Sequence, residues 1–192
     1  MGEIEYCEEG TTEEELKHKL LKRNQEWQNK KDGVDDYNDS LRTIVLSCVD
    51  SRVPVEKIFQ ARPGEMLVLK NAGNLVREDV LRSMLAAIFE IDARFVIIMG
   101  HTNCGMSIKG NKEKEEHVRQ DIGNETLKRI EKMAGMDPFE WFGFFEEGTW
   151  EENAKAQAEY LKNVLMDLLP EKDMPCILTA LYDLKSGRVK FF

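Results

Sequence analysis

Two short segments, far apart in the chain, carry residue types that bind zinc. Cys48-Val-Asp-Ser-Arg52 supplies a thiol with a carboxylate and a guanidinium beside it, and His101-Thr-Asn-Cys104 supplies an imidazole and a second thiol. Three protein ligands leave the fourth position of a tetrahedral Zn²⁺ open for water, which is typical of a catalytic rather than a structural site. The sequence therefore predicts one Zn²⁺ per chain, bound by Cys48, His101 and Cys104.

Asp50 and Arg52 follow the first predicted ligand closely and indicate what such a site could do. Two thiolates neutralise the charge of Zn²⁺, so the metal acidifies its bound water less than it would with three neutral imidazoles. Asp50 is placed to accept a hydrogen bond from zinc-bound hydroxide, and Arg52 can bind that carboxylate in bidentate fashion and keep it ionised. Zinc-bound hydroxide is a strong nucleophile for a small electrophilic carbon near neutral pH. We therefore predict that Asp50 and Arg52 are catalytic.

Two of these interpretations have a simpler structural alternative. Taken alone, Asp50 and Arg52 would more often be a structural ion pair, so their catalytic role depends on the neighbouring ligands. Gly105, directly after the third ligand, is predicted to bind substrate, because a glycine lets a backbone N–H approach a metal-bound oxyanion. The same glycine could instead serve the geometry of the chain alone.

The remaining cysteines and histidines are not predicted to bind metal. Cys7 lies in the N-terminal segment, and Cys176 lies in an apolar strand pattern that predicts a small buried side chain. His18 and His117 lie in polar helical surroundings, so both are expected to be exposed to solvent.

Hydrophobic periodicity predicts an α/β fold with a mostly parallel central sheet, flanking helices and an antiparallel C-terminal edge strand. Helical spacing of apolar residues predicts helices at 77–91 and 151–168. Short runs of β-branched and apolar residues predict strands at 43–48, 66–69, 94–99, 176–182 and 189–192. Alternating strands and helices form parallel sheets with right-handed crossovers.

This fold offers a reason for the two distant segments to meet. Ligands of such sheets bind beyond the carboxyl ends of the strands, where the strand order reverses. Cys48 ends the first predicted strand, and His101 follows the third. If these strands are neighbours and the second strand lies outside the first, the metal site lies at the reversal.

The length of 192 residues suits one well-buried domain, residues 1–192. Within it we predict an N-terminal helical arm at 11–40, with a helix at 11–31 whose few apolar residues need another surface, such as a second subunit. A helical insert is predicted at 111–150. Its aromatic residues at 139–145 are expected to close a core or an interface, or else to line a pocket.

The charge balance argues against two classes of partner. A net charge of −9 disfavours both nucleic acid and anionic membranes, which attract basic surfaces. The sequence has no apolar stretch approaching the roughly 20 residues of a membrane span. Its acidic N-terminus lacks the basic flank and apolar core of a signal peptide, so a cytoplasmic location is expected.

Three motifs resemble those of the β-class carbonic anhydrases: Cys48-x-Asp50-Ser-Arg52, Lys70-Asn-Ala-Gly-Asn74 and Gly100-His-Thr-Asn-Cys-Gly105. The resemblance covers about residues 41–109 and 151–190. It implies the β-carbonic anhydrase fold, zinc on the three ligands named above, and an aspartate–arginine dyad. It also implies reversible hydration of carbon dioxide to bicarbonate and a proton. A homodimer or higher homo-oligomer is implied as well, with the N-terminal helix laid over the neighbouring subunit.

The chain departs from parts of that family at two places. Members with an inhibitory bicarbonate pocket have Arg at the position of Lys70 and Trp near Val45, so we expect no such regulatory site here. Plant-like members use a Gln of the partner to hold substrate. Gln25 or Gln28 could serve that purpose, but neither lies in a recognisable motif.

Two other functions remain open from the sequence. Carbonyl sulfide and carbon disulfide hydrolases resemble the same family and keep the same ligands, and the aromatic residues at 139–145 are compatible with them. A zinc-stabilised binding domain without activity would require a fourth protein ligand, and only Asp50 is placed to provide it.

Overall fold

The computed structural model describes residues 13–28 and 41–192. The chain divides into two compact units, residues 1–37 and 38–192, which are described separately. The first unit contains helix α1 (Glu13–Gln28), which lies within the helix predicted at 11–31. Its described side chains, among them His18, are exposed. Cys7 and the outer parts of the predicted arm lie outside the described residues, and the single-domain organisation stays a prediction.

The second unit alternates strands and helices along the chain. They are β1 (Thr43–Cys48), α2 (Val55–Ile58), β2 (Leu67–Asn71), α3 (Glu78–Glu90), β3 (Phe95–His101), β4 (Ser107–Lys109), α4 (Lys112–Ile122), α5 (Asn124–Ala134), α6 (Pro138–Phe142), β5 (Phe145–Glu146), α7 (Trp150–Leu168), β6 (Cys176–Tyr182) and β7 (Val189–Phe191). Short 3₁₀ turns occupy Ala72–Asn74 and Glu171–Asp173. In the part of the chain that the structure describes, no helix is both long and apolar enough to cross a membrane.

Five strands form the central sheet in the order β2-β1-β3-β6-β7. The first four strands run parallel, and β7 pairs with β6 in antiparallel fashion at the edge. The predicted fold class is therefore confirmed. The strand order also confirms that β1 and β3 are neighbours and that β2 lies outside β1, so the order reverses at β1.

Both faces of the sheet are covered, which explains why β1 reads as a continuous apolar run. Ile44 and Leu46 point to the face that packs on α3 and α7, where Leu161 is fully buried. Val45, between them, points to the opposite face and packs with Met99. Every residue of β1 is buried, so the end of this strand is held rigidly.

The insert at 111–150 contains helices α4, α5 and α6 and the short strand β5, which pairs with β4. Phe139 and Phe144 form an edge-to-face pair, with ring centroids 5.0 Å apart. They are buried with Ile108 and Leu127 in a small core of their own. Phe139 and Phe144 therefore close a core, as predicted, and Phe144 and Phe145 also line a cavity beside Leu75 and Arg77. His117, on α4, is exposed as expected.

The bounds of two strands and one burial prediction need correction. β2 begins one residue later than predicted and continues through Lys70 and Asn71, and β3 continues to include His101. The prediction that Cys176 is buried is wrong, because its side chain is exposed. Cys176 is the first residue of β6 and lies opposite Phe95, which is also exposed, so this end of the sheet is open to solvent.

Candidate metal centre

The ends of two neighbouring parallel strands bring the three predicted ligands together. Cys48 is the last residue of β1, His101 is the last residue of β3, and Cys104 follows three residues later in the chain. Their ligand atoms all lie within 4.8 Å of one another. The two sulfur atoms are 3.9 Å apart. All three side chains are buried.

The hydrogen bonding of His101 fits a metal ligand. Nδ1 lies 2.9 Å from the backbone oxygen of Thr102, which can only accept, so Nδ1 carries the ring proton. Nε2 is therefore left with a lone pair, and this buried atom has no hydrogen-bond partner among the described residues. A buried polar atom without a partner is costly. A cation bound between Nε2 and the two sulfurs would remove that cost, and this donor set is one that Zn²⁺ prefers.

The two thiols influence each other strongly. The hydrogen bond from Cys104 lowers the pKa of the Cys48 thiol to about 4, against the opposing effect of burial. The same contact, together with burial, raises the pKa of Cys104. The pair therefore gives up a proton more readily than two separate buried thiols would. Both sulfurs are deprotonated when they bind a metal, as is general for thiolate ligands.

Asp50 lies next to this cluster and is held firmly by Arg52. The guanidinium donates to both carboxylate oxygens, through Nε at 3.0 Å and Nη2 at 2.7 Å, and the Arg52 backbone N–H adds a bond of 2.9 Å. The guanidinium hydrogen bond lowers the pKa of Asp50 to about 2, so the carboxylate is ionised at neutral pH. Its Oδ2 lies 3.9 Å from Nε2 of His101, beside the ligand atoms and outside hydrogen-bond distance.

Two further contacts hold the segment that carries the dyad. Arg52 donates to the backbone oxygen of Asn103 at 3.2 Å, which ties the first motif directly to the second. Lys70 donates to the backbone oxygens of Val53 at 2.8 Å and Asp50 at 3.3 Å. Sequence reasoning missed both contacts. Lys70 is part of the motif at 70–74, but no local sequence pattern indicates which carbonyl groups its side chain contacts.

The two glycines that bracket the second motif differ in their surroundings. A Cβ added at Gly105 would meet no atom within 4 Å among the described residues, so packing does not require glycine there. Its role in binding substrate stays a prediction. A Cβ added at Gly100 would lie 3.0 Å from the backbone oxygen of Trp150 and 3.5 Å from Cβ of Ala154. Gly100 therefore allows β3 to approach α7 directly before His101.

We expect Gly100→Ala to destabilise the protein by about 1–3 kcal/mol, because the added methyl must displace the backbone of α7. Gly105→Ala is the matched control in the same motif, and its effect on the free energy of unfolding should stay within about 0.5 kcal/mol. Urea denaturation of both variants measures the difference. Equal losses of stability would show that the approach of β3 to α7 does not depend on glycine.

Comparisons with known proteins indicate which family the chain resembles. The carbonic anhydrase family model matches residues 43–189. The protein YtiB of Bacillus subtilis (strain 168) is 35% identical in an alignment 112 residues long that covers 55% of this chain and 59% of that protein. The carbon disulfide hydrolase of Saccharolobus solfataricus is 29% identical in an alignment 132 residues long that covers 64% of this chain and 65% of that protein. The chain thus spans less than two thirds of each of these relatives.

Solved structures show the same fold. The crystal structure of β-carbonic anhydrase isoform I from Trichomonas vaginalis superposes with a TM-score of 0.71 at 21% identity, covering 94% of this chain and 97% of that one. At this identity the likeness concerns the fold alone. Because the family model spans most of the chain, and because the fold matches as well, the protein belongs to the β-class carbonic anhydrase family.

Proposed function

We propose that this protein catalyses the reversible hydration of carbon dioxide to bicarbonate and a proton, with one Zn²⁺ per chain held by Cys48, His101 and Cys104. One observation carries the proposal. A buried imidazole nitrogen without a partner lies within 4.8 Å of two thiol sulfurs, and an ionised carboxylate lies 3.9 Å from that nitrogen. Membership of the family supports the same reaction.

Asp50, Arg52 and Gly105 each have a distinct proposed role in this reaction. Zn²⁺, when bound, acts as a Lewis acid that lowers the pKa of a water molecule, so that a nucleophile exists near neutral pH. Asp50 accepts a hydrogen bond from the reacting water at Oδ2 and directs the lone pair of that water toward the carbon of carbon dioxide. Arg52 fixes the orientation of Asp50 and keeps it ionised. The backbone N–H of Gly105 is proposed to stabilise the developing negative charge on the substrate oxygen.

The geometry favours an open site over a closed structural one. A zinc-stabilised domain without activity would need a fourth protein ligand. Asp50 is the candidate that the sequence offers, and both of its carboxylate oxygens already accept hydrogen bonds from Arg52. With both oxygens engaged by Arg52, the carboxylate is less available as a fourth ligand, which supports an open fourth position.

We also propose a homodimer or higher homo-oligomer in the cytoplasm, without nucleic-acid or membrane partners. Family resemblance supports the assembly. Leu20 and Leu21 of α1 are 54% and 65% exposed, which supports burial against another surface. The net charge of −9 supports the lack of nucleic-acid partners. Light scattering on the purified protein measures the oligomeric state, and a monomer at micromolar concentration would contradict this part of the proposal.

The deciding experiment compares substrates on one zinc-loaded preparation. Stopped-flow measurement with a pH indicator reports carbon dioxide hydration, and a sulfide assay reports hydrogen sulfide released from carbonyl sulfide and from carbon disulfide. We expect zinc-dependent hydration with kcat/KM above about 10⁴ M⁻¹s⁻¹, the lower end of ordinary enzymes. Release of hydrogen sulfide without carbon dioxide hydration would overturn the proposal in favour of a sulfide-releasing hydrolase.

That alternative is favoured by one observation, the similarity to a carbon disulfide hydrolase at 29% identity. The aromatic cluster of the insert adds nothing to it. Phe139 is buried with Ile108 and Leu127 in a separate core, and the cavity lined by Phe144 and Phe145 does not include the three predicted metal ligands. The ligand set is compatible with either substrate class.

We expect added bicarbonate to inhibit hydration without cooperativity, with a Hill coefficient of about 1. The reason is that the position of Lys70 holds Arg in family members with an inhibitory bicarbonate pocket, and here two of the three N–H donors of its ammonium group are used by the backbone oxygens of Val53 and Asp50. Initial hydration rates over a bicarbonate series, at constant pH and ionic strength, test this expectation. A sigmoidal loss of activity would show that a regulatory anion site exists.

A further inference from the structure

We infer that Thr102 is a positioning residue for His101, and that its hydroxyl group, held by the turn between β6 and β7, sets the affinity of the site for Zn²⁺. The inference rests on the proposed function, because it concerns the same metal site. Thr102 is not among the predicted metal ligands or substrate-binding residues. Its hydroxyl group links the metal site to a surface turn more than eighty residues away in the chain.

The orientation of the His101 imidazole depends on the backbone of Thr102. His101 Nδ1 donates to the backbone oxygen of Thr102 at 2.9 Å. This bond selects the tautomer with a free lone pair on Nε2, and it also sets the rotation of the ring. A metal-binding histidine whose second nitrogen loses such a partner binds metal less tightly. The position of one carbonyl group therefore controls where Nε2 points.

Thr102 is held at two points, by β6 and by the turn that follows it. Its backbone N–H donates to the oxygen of Tyr182 at 3.0 Å. Its hydroxyl oxygen accepts the backbone N–H of Leu184 at 3.0 Å. The sheet register places His101 directly opposite Tyr182, so both bonds extend the pairing of β3 with β6 past the end of β3. Together they fix the backbone N–H and the side chain of Thr102, and so limit the movement of its carbonyl group.

The turn between β6 and β7 is stabilised by hydrogen bonds of its own. Asp183 N–H donates to the oxygen of Arg188 at 2.9 Å, and Gly187 N–H donates to the oxygen of Asp183 at 2.8 Å. The carboxylate of Asp183 accepts the N–H of Ser186 at 2.6 Å. Leu184 packs against the buried cluster that contains Val45 of β1. The turn is therefore a firm anchor for the Thr102 hydroxyl.

Loss of the hydroxyl would remove one of the two anchors of Thr102. The part-buried N–H of Leu184 would lose its acceptor, which is more costly than the loss of an exposed bond. The turn and the segment after β3 would then separate or rearrange. The carbonyl of Thr102 would move with that segment, and the ring of His101 would follow. The expected result is weaker zinc binding in a chain that keeps all three ligands.

The test compares zinc affinity in Thr102→Val, Thr102→Ser and the unaltered protein. Competition with a chromophoric chelator measures the dissociation constant for Zn²⁺ alone. We expect Thr102→Val, which keeps the shape but not the hydroxyl, to bind Zn²⁺ about 10- to 100-fold more weakly. Thr102→Ser, which keeps the hydroxyl, should restore affinity to within about threefold. The visible absorption of the Co²⁺-substituted protein should change in the valine variant and return in the serine variant, because it reports coordination geometry.

Thr149→Val is the matched control, because its hydroxyl also bonds a backbone group, the oxygen of Glu146 at 2.8 Å, but in the insert. Its zinc affinity should equal that of the unaltered protein. If Thr102→Val does not fold, Thr102→Ala removes the same hydroxyl and serves in its place. Unchanged affinity and an unchanged Co²⁺ spectrum on loss of the hydroxyl would overturn the inference, as would failure of Thr102→Ser to restore them. Zinc binding by the unaltered protein without carbon dioxide hydration would contradict only the proposed function, since the affinities of the variants still decide the role of Thr102.

Discussion

Replacing His101 with alanine should abolish zinc binding and carbon dioxide hydration together. The substitution removes the only ring nitrogen of the ligand cluster, and two thiols alone leave Zn²⁺ with half of its tetrahedral sphere. Cys48→Ala should have the same result, because it removes one of the two sulfurs and leaves only one thiol and one imidazole for the metal. Elemental analysis of the purified variants gives the zinc content per chain, and stopped-flow assays give the hydration rate.

Cys176→Ala provides the matched control for Cys48→Ala. Cys176 is exposed at the start of β6 and takes no part in the ligand cluster, so its loss should leave zinc content and activity unchanged. Thermal unfolding adds a second readout. Because a ligand stabilises only a protein that binds it, added Zn²⁺ should raise the Tm of the control but not that of Cys48→Ala or His101→Ala. One zinc per chain in either ligand variant would show that the metal binds elsewhere.

Asp50→Ala should keep zinc but lose most turnover, by about 10²- to 10⁴-fold. The three ligands remain in place, and Asp50 Oδ2 lies 3.9 Å from the nearest ligand nitrogen, so metal binding does not depend on the carboxylate. The reacting water, however, would lose the acceptor that orients it. Zinc content and hydration rate, measured on the same preparation, separate the two effects. Loss of zinc along with activity would show that Asp50 supports the metal rather than the reaction.

Asp79→Ala controls for the loss of an ordinary aspartate–arginine pair. Asp79 on α3 bonds Arg82 at 2.9 Å, but its side chain is 85% exposed and the pair lies outside the metal centre. Exposed pairs of this kind contribute little to stability, so zinc content and turnover should match those of the unaltered protein. Full activity in Asp50→Ala would show that the reacting water needs no such acceptor.

The pKa of Asp50 also predicts how the protein responds to acid. Because the folded-state pKa is lowered to about 2, the stability that the Asp50–Arg52 pair contributes is fully present above the ordinary aspartate pKa of about 3.9. It is lost as the pH falls through about 2. Protonation of Asp50 therefore does not limit activity in the neutral range. A change of rate between about pH 6 and 9 would have to come from the reacting water or the metal ligands.

Much of the site follows from residue types and their order along the chain. Cys48 and His101, two residue types that bind zinc, lie at or directly after the ends of predicted strands, and Cys104 follows shortly after His101. Parallel sheets collect strand ends at one edge. The apolar run of β1 indicated a strand buried on both faces. The spacing of Asp50 and Arg52 suits the bidentate pair that the structure shows. These conclusions depend on local composition and on general topology rules, which a single sequence can supply.

The contacts that orient the ligands depend on the register between distant segments. Lys70 bonds two carbonyl groups of the loop after β1, and Thr102 bonds the turn after β6, and neither partner can be identified from the residues nearby. Cys176 has an apolar sequence context, yet its place at an uncovered end of the sheet exposes it. The sequence by itself determined the ligand chemistry and the fold class, because periodicity and residue type are local properties. Only the tertiary structure decided which backbone groups hold those ligands in place, because hydrogen-bond partners far apart in the chain meet only after the strands have aligned.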